Sequence, residues 1–231
     1  MKKMLLSLLF CAASAASVFA GEEDWDKSLG FGMGASFFKS GFEYESDSGK
    51  KLDGEIKGFT YDFANVEVRL ANKNNNFSFL AGFSAGLLFP TLNLDGECVS
   101  DKLDDPFGLR FGFELGFGYR FACTEKLSVT PSLVLGTQFL RTGERYSSDS
   151  DKGVSVATGE LSLGLDLLVD YRLSEKWSVF FATTAGVNLF GYCKYEDYTE
   201  YAHYFSVDYR ECDTDFGGLY VSPRIGLSFH Y

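Results

Sequence analysis

From Phe107 to Phe121 large apolar residues and small or charged ones alternate without a break. Phe107, Leu109, Phe111, Phe113, Leu115, Phe117, Tyr119 and Phe121 take the odd positions. Gly108, Arg110, Gly112, Glu114, Gly116, Gly118 and Arg120 take the even ones. A β-strand sends successive side chains to opposite faces. One face of this strand is therefore bulky and apolar, and the other is glycine with isolated charges. Such an apolar face needs either a second packed layer or hydrocarbon against it. Glycine and arginine are poor material for the solvated side of a soluble sheet. They suit a cramped interior behind a lipid-facing wall.

The same rhythm recurs along the chain. Strands are predicted at 28–38, 58–71, 77–89, 107–121, 127–141, 158–173, 177–192 and 218–231. Each reaches the ~9–11 residues that a tilted membrane-crossing strand needs. The connections alternate: 72–76, 122–126 and 174–176 are short, whereas 39–57, 90–106, 142–157 and 193–217 are long. The fold class predicted is all-β, an eight-stranded antiparallel up-and-down transmembrane β-barrel. An even strand count with this loop asymmetry places both termini in the periplasm.

Two details modify the strands. Pro131 and Pro223 cannot donate a ladder hydrogen bond, so pairing should stop or bulge there. In the second strand Phe59, Tyr61 and Phe63 are odd, whereas Val66, Val68 and Leu70 are even. A bulge near Ala64 would reconcile them. Trp25, Tyr119, Phe121, Tyr171 and Trp177 gather at one end of the strands. Phe37, Phe89, Phe107 and Phe139 gather at the other, as two interfacial girdles would.

The termini fit an exported protein. Met1, Lys2 and Lys3 precede a mostly apolar stretch, and Val18-Phe19-Ala20 supplies small residues before a cleavage point. Residues 1–20 read as a signal peptide. Residues 21–231 read as one barrel domain with a short acidic lead-in at 21–27. Phe10 stands where lipidation of Cys11 would need a small residue.

With this register five acids, Glu67, Glu114, Glu160, Asp166 and Asp170, face inward. So do five bases, Arg69, Arg110, Arg120, Arg172 and Arg224. Buried charge must be paired, and the arginine fork can bridge two carboxylates. The neutral balance favours a structural ion network over a proton or ion path. Eight strands enclose just enough room for side chains to fill, so a plugged interior is expected. Near the long connections Phe38, Leu88, Leu140, Phe190 and Tyr192 are expected inward. They form either a stopper or an apolar rim pocket for a small ligand.

The net charge is −11, concentrated in the long connections. Acidic loops suit neither nucleic acid nor other polyanions. Asp101, Asp104 and Asp105 do not match a calcium-loop pattern, so neither metal nor cofactor is expected. Tyr192, Tyr195, Tyr198, Tyr201 and Tyr204 recur every third residue, either as a recognition surface or as packing that extends the last hairpin. Cys193 and Cys212 bracket that segment and are a possible disulfide, with Cys98 as a competing partner. The histidines are His203 and His230. His230 shares a face with Ser228 two places earlier, a weak basis for hydrolysis, and no catalytic residue is assigned.

In strand count, loop asymmetry, inward ion network and an aromatic C-terminus with apolar residues two and four places earlier, residues 28–231 resemble the small eight-stranded bacterial outer-membrane barrels, the class of the OmpA barrel, OmpX and OmpW. The resemblance implies the cell outer membrane as location, outer-membrane lipid as surroundings and recognition by the β-barrel assembly machinery. No family-specific motif is present. Two roles are expected from different classes. One is a structural or adhesin-like surface barrel, meeting an extracellular partner through its loops. The other is a narrow OmpW-like passage for small hydrophobic molecules.

Overall fold

The computed structural model describes residues 24–45, 51–94, 96–98, 107–146, 149–201, 204–214 and 218–231. Residues 1–20, Asp101, Asp104, Asp105 and His203 lie outside them. The strands are β1 (Trp25–Glu45), β2 (Lys51–Asn72), β3 (Phe77–Leu94), β4 (Glu97–Cys98), β5 (Gly108–Tyr119) and β6 (Phe121–Ala122). They continue with β7 (Leu127–Tyr146), β8 (Asp149–Arg172), β9 (Trp177–Tyr201), β10 (Tyr204–Thr214) and β11 (Leu219–His230). Every pairing is antiparallel. The order β1-β11-β9-β8-β7-β5-β3-β2 closes on itself through β1 and β2. The result is an eight-staved barrel without an open edge.

The alternation decides which way each side chain points. Phe31, Phe117, Leu133, Leu165, Phe181 and Ile225 stand exposed on the outer wall. Bulky exposed apolar residues all round a cylinder belong against lipid. Tyr119, Phe121, Tyr171 and Trp177 are exposed at the short-turn end, and Phe37, Phe89, Phe107 and Phe139 toward the other.

The irregularities have local causes. The expected bulge in β2 lies at Phe63: Asp62 faces Gly86, the next pair is Ala64 with Ala85, and Phe63 is left over. The extra residue returns both halves of β2 to one face rule. Pro131 separates β5 from β6. The β5–β7 ladder stops at Gly118–Ser132, and β6 resumes it at Phe121–Val129. Pro223 does the same on the β1 side of β11, where pairing skips from Gly34–Arg224 to Phe37–Val221.

The short turns are tied by their own side chains. Asn72 Oδ1 accepts from the amides of Asn74 and Asn75 at 3.0 and 3.1 Å. Asn76 takes a positive φ of 59°, which asparagine tolerates better than most residues. Thr124 Oγ1 accepts from the amides of Lys126 and Leu127, and Ser174 Oγ from that of Trp177.

The long connections differ from the expectation. Much of what reads as loop is strand: β1 runs on to Glu45, β2 begins at Lys51, and β9 and β10 form a hairpin out to Tyr201 and Tyr204. The Tyr-rich segment thus extends the final hairpin in its backbone; the side chains of Tyr195, Tyr198, Tyr201 and Tyr204 are outside the described residues. The reason is legible afterwards. Phe42, Ile56, Leu92, Val154 and Val156 continue the inward apolar rhythm, and all five are buried. Glu43 beside Phe42 and Glu55 beside Ile56 disguise it in the first two strands.

Candidate functional site

The lumen holds the chemistry. Polar and charged side chains fill it from the short-turn mouth to an apolar cap at the other end.

Five staves meet at the short-turn mouth. Asp26 of β1 takes ion pairs from Arg120 at 2.6 Å and Arg172 at 3.2 Å. Burial alone would raise the Asp26 carboxyl. The hydrogen bond with His230 and the two guanidinium groups outweigh it, holding the carboxyl well below the usual carboxylate range. Arg172 also approaches His230 Nδ1 at 3.0 Å. Asp26 Oδ1 lies 3.4 Å from the same nitrogen, and as an ionised carboxylate it takes a hydrogen bond there only from a protonated Nδ1. Nε2 lies 2.9 Å from Ser178 Oγ, whose hydroxyl donates to Asp170 at 2.6 Å. The partner of His230 is therefore Ser178, not Ser228 as the spacing suggests, because β9 runs beside β11. Ser178 is fully buried and sends its proton to a carboxylate. A nucleophile needs the reverse on both counts. A cavity of about 40 Å³, lined by Asp26, Arg69, Arg120, Asp170 and His230 among others, opens at this mouth.

Deeper in, Glu67 of β2 pairs with both Arg69 and Arg224. Arg224 reaches on to Asp166 at 2.9 Å, which also accepts from Thr184 at 2.9 Å. Arg69 lies over the ring of Phe180 at 5.0 Å. Arg110 pairs with Asp62 at 3.0 Å, and Ser36 and Thr60 donate to the same carboxylate at 2.9 Å each. Glu114 lines a cavity of about 10 Å³ with Glu67, Arg224, Asn65 and Ser222, room for about one water.

The five-against-five reckoning needs correcting. Asp26 and Asp62 are inward acids that it omitted, and they occupy Arg110, Arg120 and Arg172. Glu160 is consequently held by neutral donors: Ser40 at 2.6 Å, Gln138 at 2.8 Å and Asn188. Asp62 was findable, since it alternates with Tyr61 and Phe63. Asp26 is hidden because it lies in the acidic stretch 21–27, ahead of the first apolar alternation, where nothing marks an inward face.

The apolar rim also needs correcting. Phe38, Leu88 and Leu140 point inward and are buried, but Phe190 and Tyr192 are 63% and 57% exposed on the outer wall. A bulge at Leu189 causes this: Leu161 faces Phe190, whereas Ser162 faces Asn188. The shift turns Cys193 inward in their place. The inward cap is Phe38, Phe42, Ile56, Leu88, Leu92, Leu140, Val154, Val156, Cys193 and Tyr220, packed as one buried cluster.

On the outer face above the girdle, Lys39 pairs with Glu55 at 2.5 Å and Lys57 with the same carboxylate at 3.4 Å. The hydrogen bond from Lys39 draws the Glu55 carboxyl below its ordinary value. Among the described residues no cluster of His, Cys, Asp and Glu is placed to hold a metal ion.

The barrel closure, the lipid-type outer wall and the filled lumen agree with solved structures of outer-membrane proteins. A major outer membrane protein from Thermus thermophilus superposes with a TM-score of 0.59 and 14% identity, over 86% of this chain and 99% of that one. OprG from Pseudomonas aeruginosa does so with a TM-score of 0.57 and 15% identity, over 91% and 98%. This chain has the fold of the outer-membrane β-barrels. No family model matches it, and neither does any curated protein.

Proposed function

We propose that this barrel resides in a bacterial outer membrane with both termini in the periplasm, and acts at its long-connection end as a structural or surface-binding protein. The observation that carries the reading is the filling of the lumen. Arg224, Glu67, Arg69 and Asp166 bridge the interior, and the apolar cap closes the end where Phe42, Leu88 and Leu140 interlock. The five lumen arginines are all engaged by the barrel's own carboxylates, which leaves a permeating anion little to bind. The strands that continue past the aromatic girdle give the acidic connections a rigid base, which suits recognition.

A passage for small hydrophobic molecules is the weaker reading. It drew on an apolar cup, and two of the five residues of that cup point outward. Planar-bilayer recording of the full-length mature protein tests the choice. Silence is expected; discrete conductance steps would overturn the sealed-lumen reading. A binding screen comparing the intact barrel with one lacking residues 195–210 then tests for recognition through the last hairpin.

A further inference from the structure

The backbone register brings two cysteines together. In the β9–β10 hairpin Cys212 lies directly opposite Cys193. Directly opposed residues of antiparallel strands share a face. Their Cα atoms are about 4.5 or 5.5 Å apart, depending on the kind of pair, and a disulfide accepts both. The bulge at Leu189 sets the phase: with it Cys193 turns to the inner face and is buried in the apolar cap. Bracketing in sequence only suggested this pair; strand pairing now opposes the two positions residue to residue. Cys98 is a partly buried thiol in β4, which pairs with β3 rather than β9 or β10. Cys123 is an exposed thiol at a short turn, at the far end of the barrel.

We propose that Cys193 and Cys212 form a cross-strand disulfide inside the cap, locking the register of the last hairpin. The bond forms by thiol–disulfide exchange with an oxidising protein disulfide, before the cap closes over Cys193. One cysteine thiolate attacks the donor disulfide and expels a donor thiolate. The second then attacks the mixed disulfide and expels the other. The two cysteines lose two electrons and two protons, and the donor leaves as a dithiol. The site lies in a compartment that permits such bonds only if the barrel is exported. Conductance does not depend on the bond, so the two proposals fail separately.

The test uses the full-length protein taken from its membrane, with iodoacetamide present from lysis. After denaturation and digestion, the peptides carrying residues 193 and 212 should appear as one linked species, two hydrogens lighter than the separate thiols, and part on reduction. Cys123 should be alkylated throughout, and the link should persist in Cys98→Ser. Alkylation of Cys193 and Cys212 in most chains before reduction would overturn the proposal. So would a bond from either to Cys98, or loss of the link in Cys98→Ser.

Discussion

Arg224 shows what one residue contributes in this interior. Its guanidinium spans Glu67 of β2 and Asp166 of β8, and it is buried. Replacing one partner of a buried ion pair by an apolar group leaves the other charges desolvated, at about 3–5 kcal/mol. Arg224→Met should therefore lower the free energy of unfolding, read from the urea dependence of the folded gel band, by that order. Arg224→Met with Asp166→Asn should recover part of it, because Asp166 then carries no charge and Glu67 keeps Arg69 as its partner. At the mouth Asp26 sets a pH limit. Its carboxyl titrates below the ordinary 3.8 in the folded chain. The stability it contributes is complete above that value and drains away as pH falls beneath it. Asp26→Asn should leave a flatter acid limb below about pH 4 in an unfolding series, with a smaller loss of stability on acidification than the parent. An identical acid limb in the two proteins would refute the assignment.

At the scale of the strand, close approach governs. Gly164 of β8 and Gly186 of β9 face one another, and the ring of Tyr220 lies across both. A Cβ on Gly186 would stand 2.6 Å from Tyr220 Cε1 and 2.5 Å from the Leu163 carbonyl oxygen. Gly186→Val should thus force the ring aside at a cost of about 1–3 kcal/mol, read as an earlier thermal transition. Deleting Phe63 is a sharper test. It removes only the unpaired residue and leaves Asp62–Gly86 and Ala64–Ala85 as successive pairs, so Asp62 and Glu67 both stay inward. The variant should keep a compact band in unheated samples, and loss of that band would refute the register. These elements also show what a sequence can carry. The strand count, the β2 bulge and the two proline interruptions follow from period and hydrogen-bonding capacity, which are local. The Leu189 bulge does not, because Leu189, Phe190 and Tyr192 are apolar on either phase and nothing marks the slip. Nor do ion partners: Arg120 and Asp26 lie 94 positions apart and meet only because the sheet closes.

For the molecule as a whole, closure without an edge predicts one cooperative unit. Unheated samples should migrate faster on gels than boiled ones, and circular dichroism in detergent should be dominated by strand. A mostly helical spectrum would be incompatible with the fold. The extension of β9 past Tyr192 has a mechanical consequence. Nine more residues at about 3.3 Å each, tilted by about 40°, lift the tip near Tyr201 by roughly 20 Å. That standoff exceeds twice the Debye length of about 8 Å in physiological salt. Whatever docks on the tip is shielded from the charge of the lipid headgroups below and feels the acidic crown alone, so its affinity should be indifferent to the composition of the bilayer that anchors the mast.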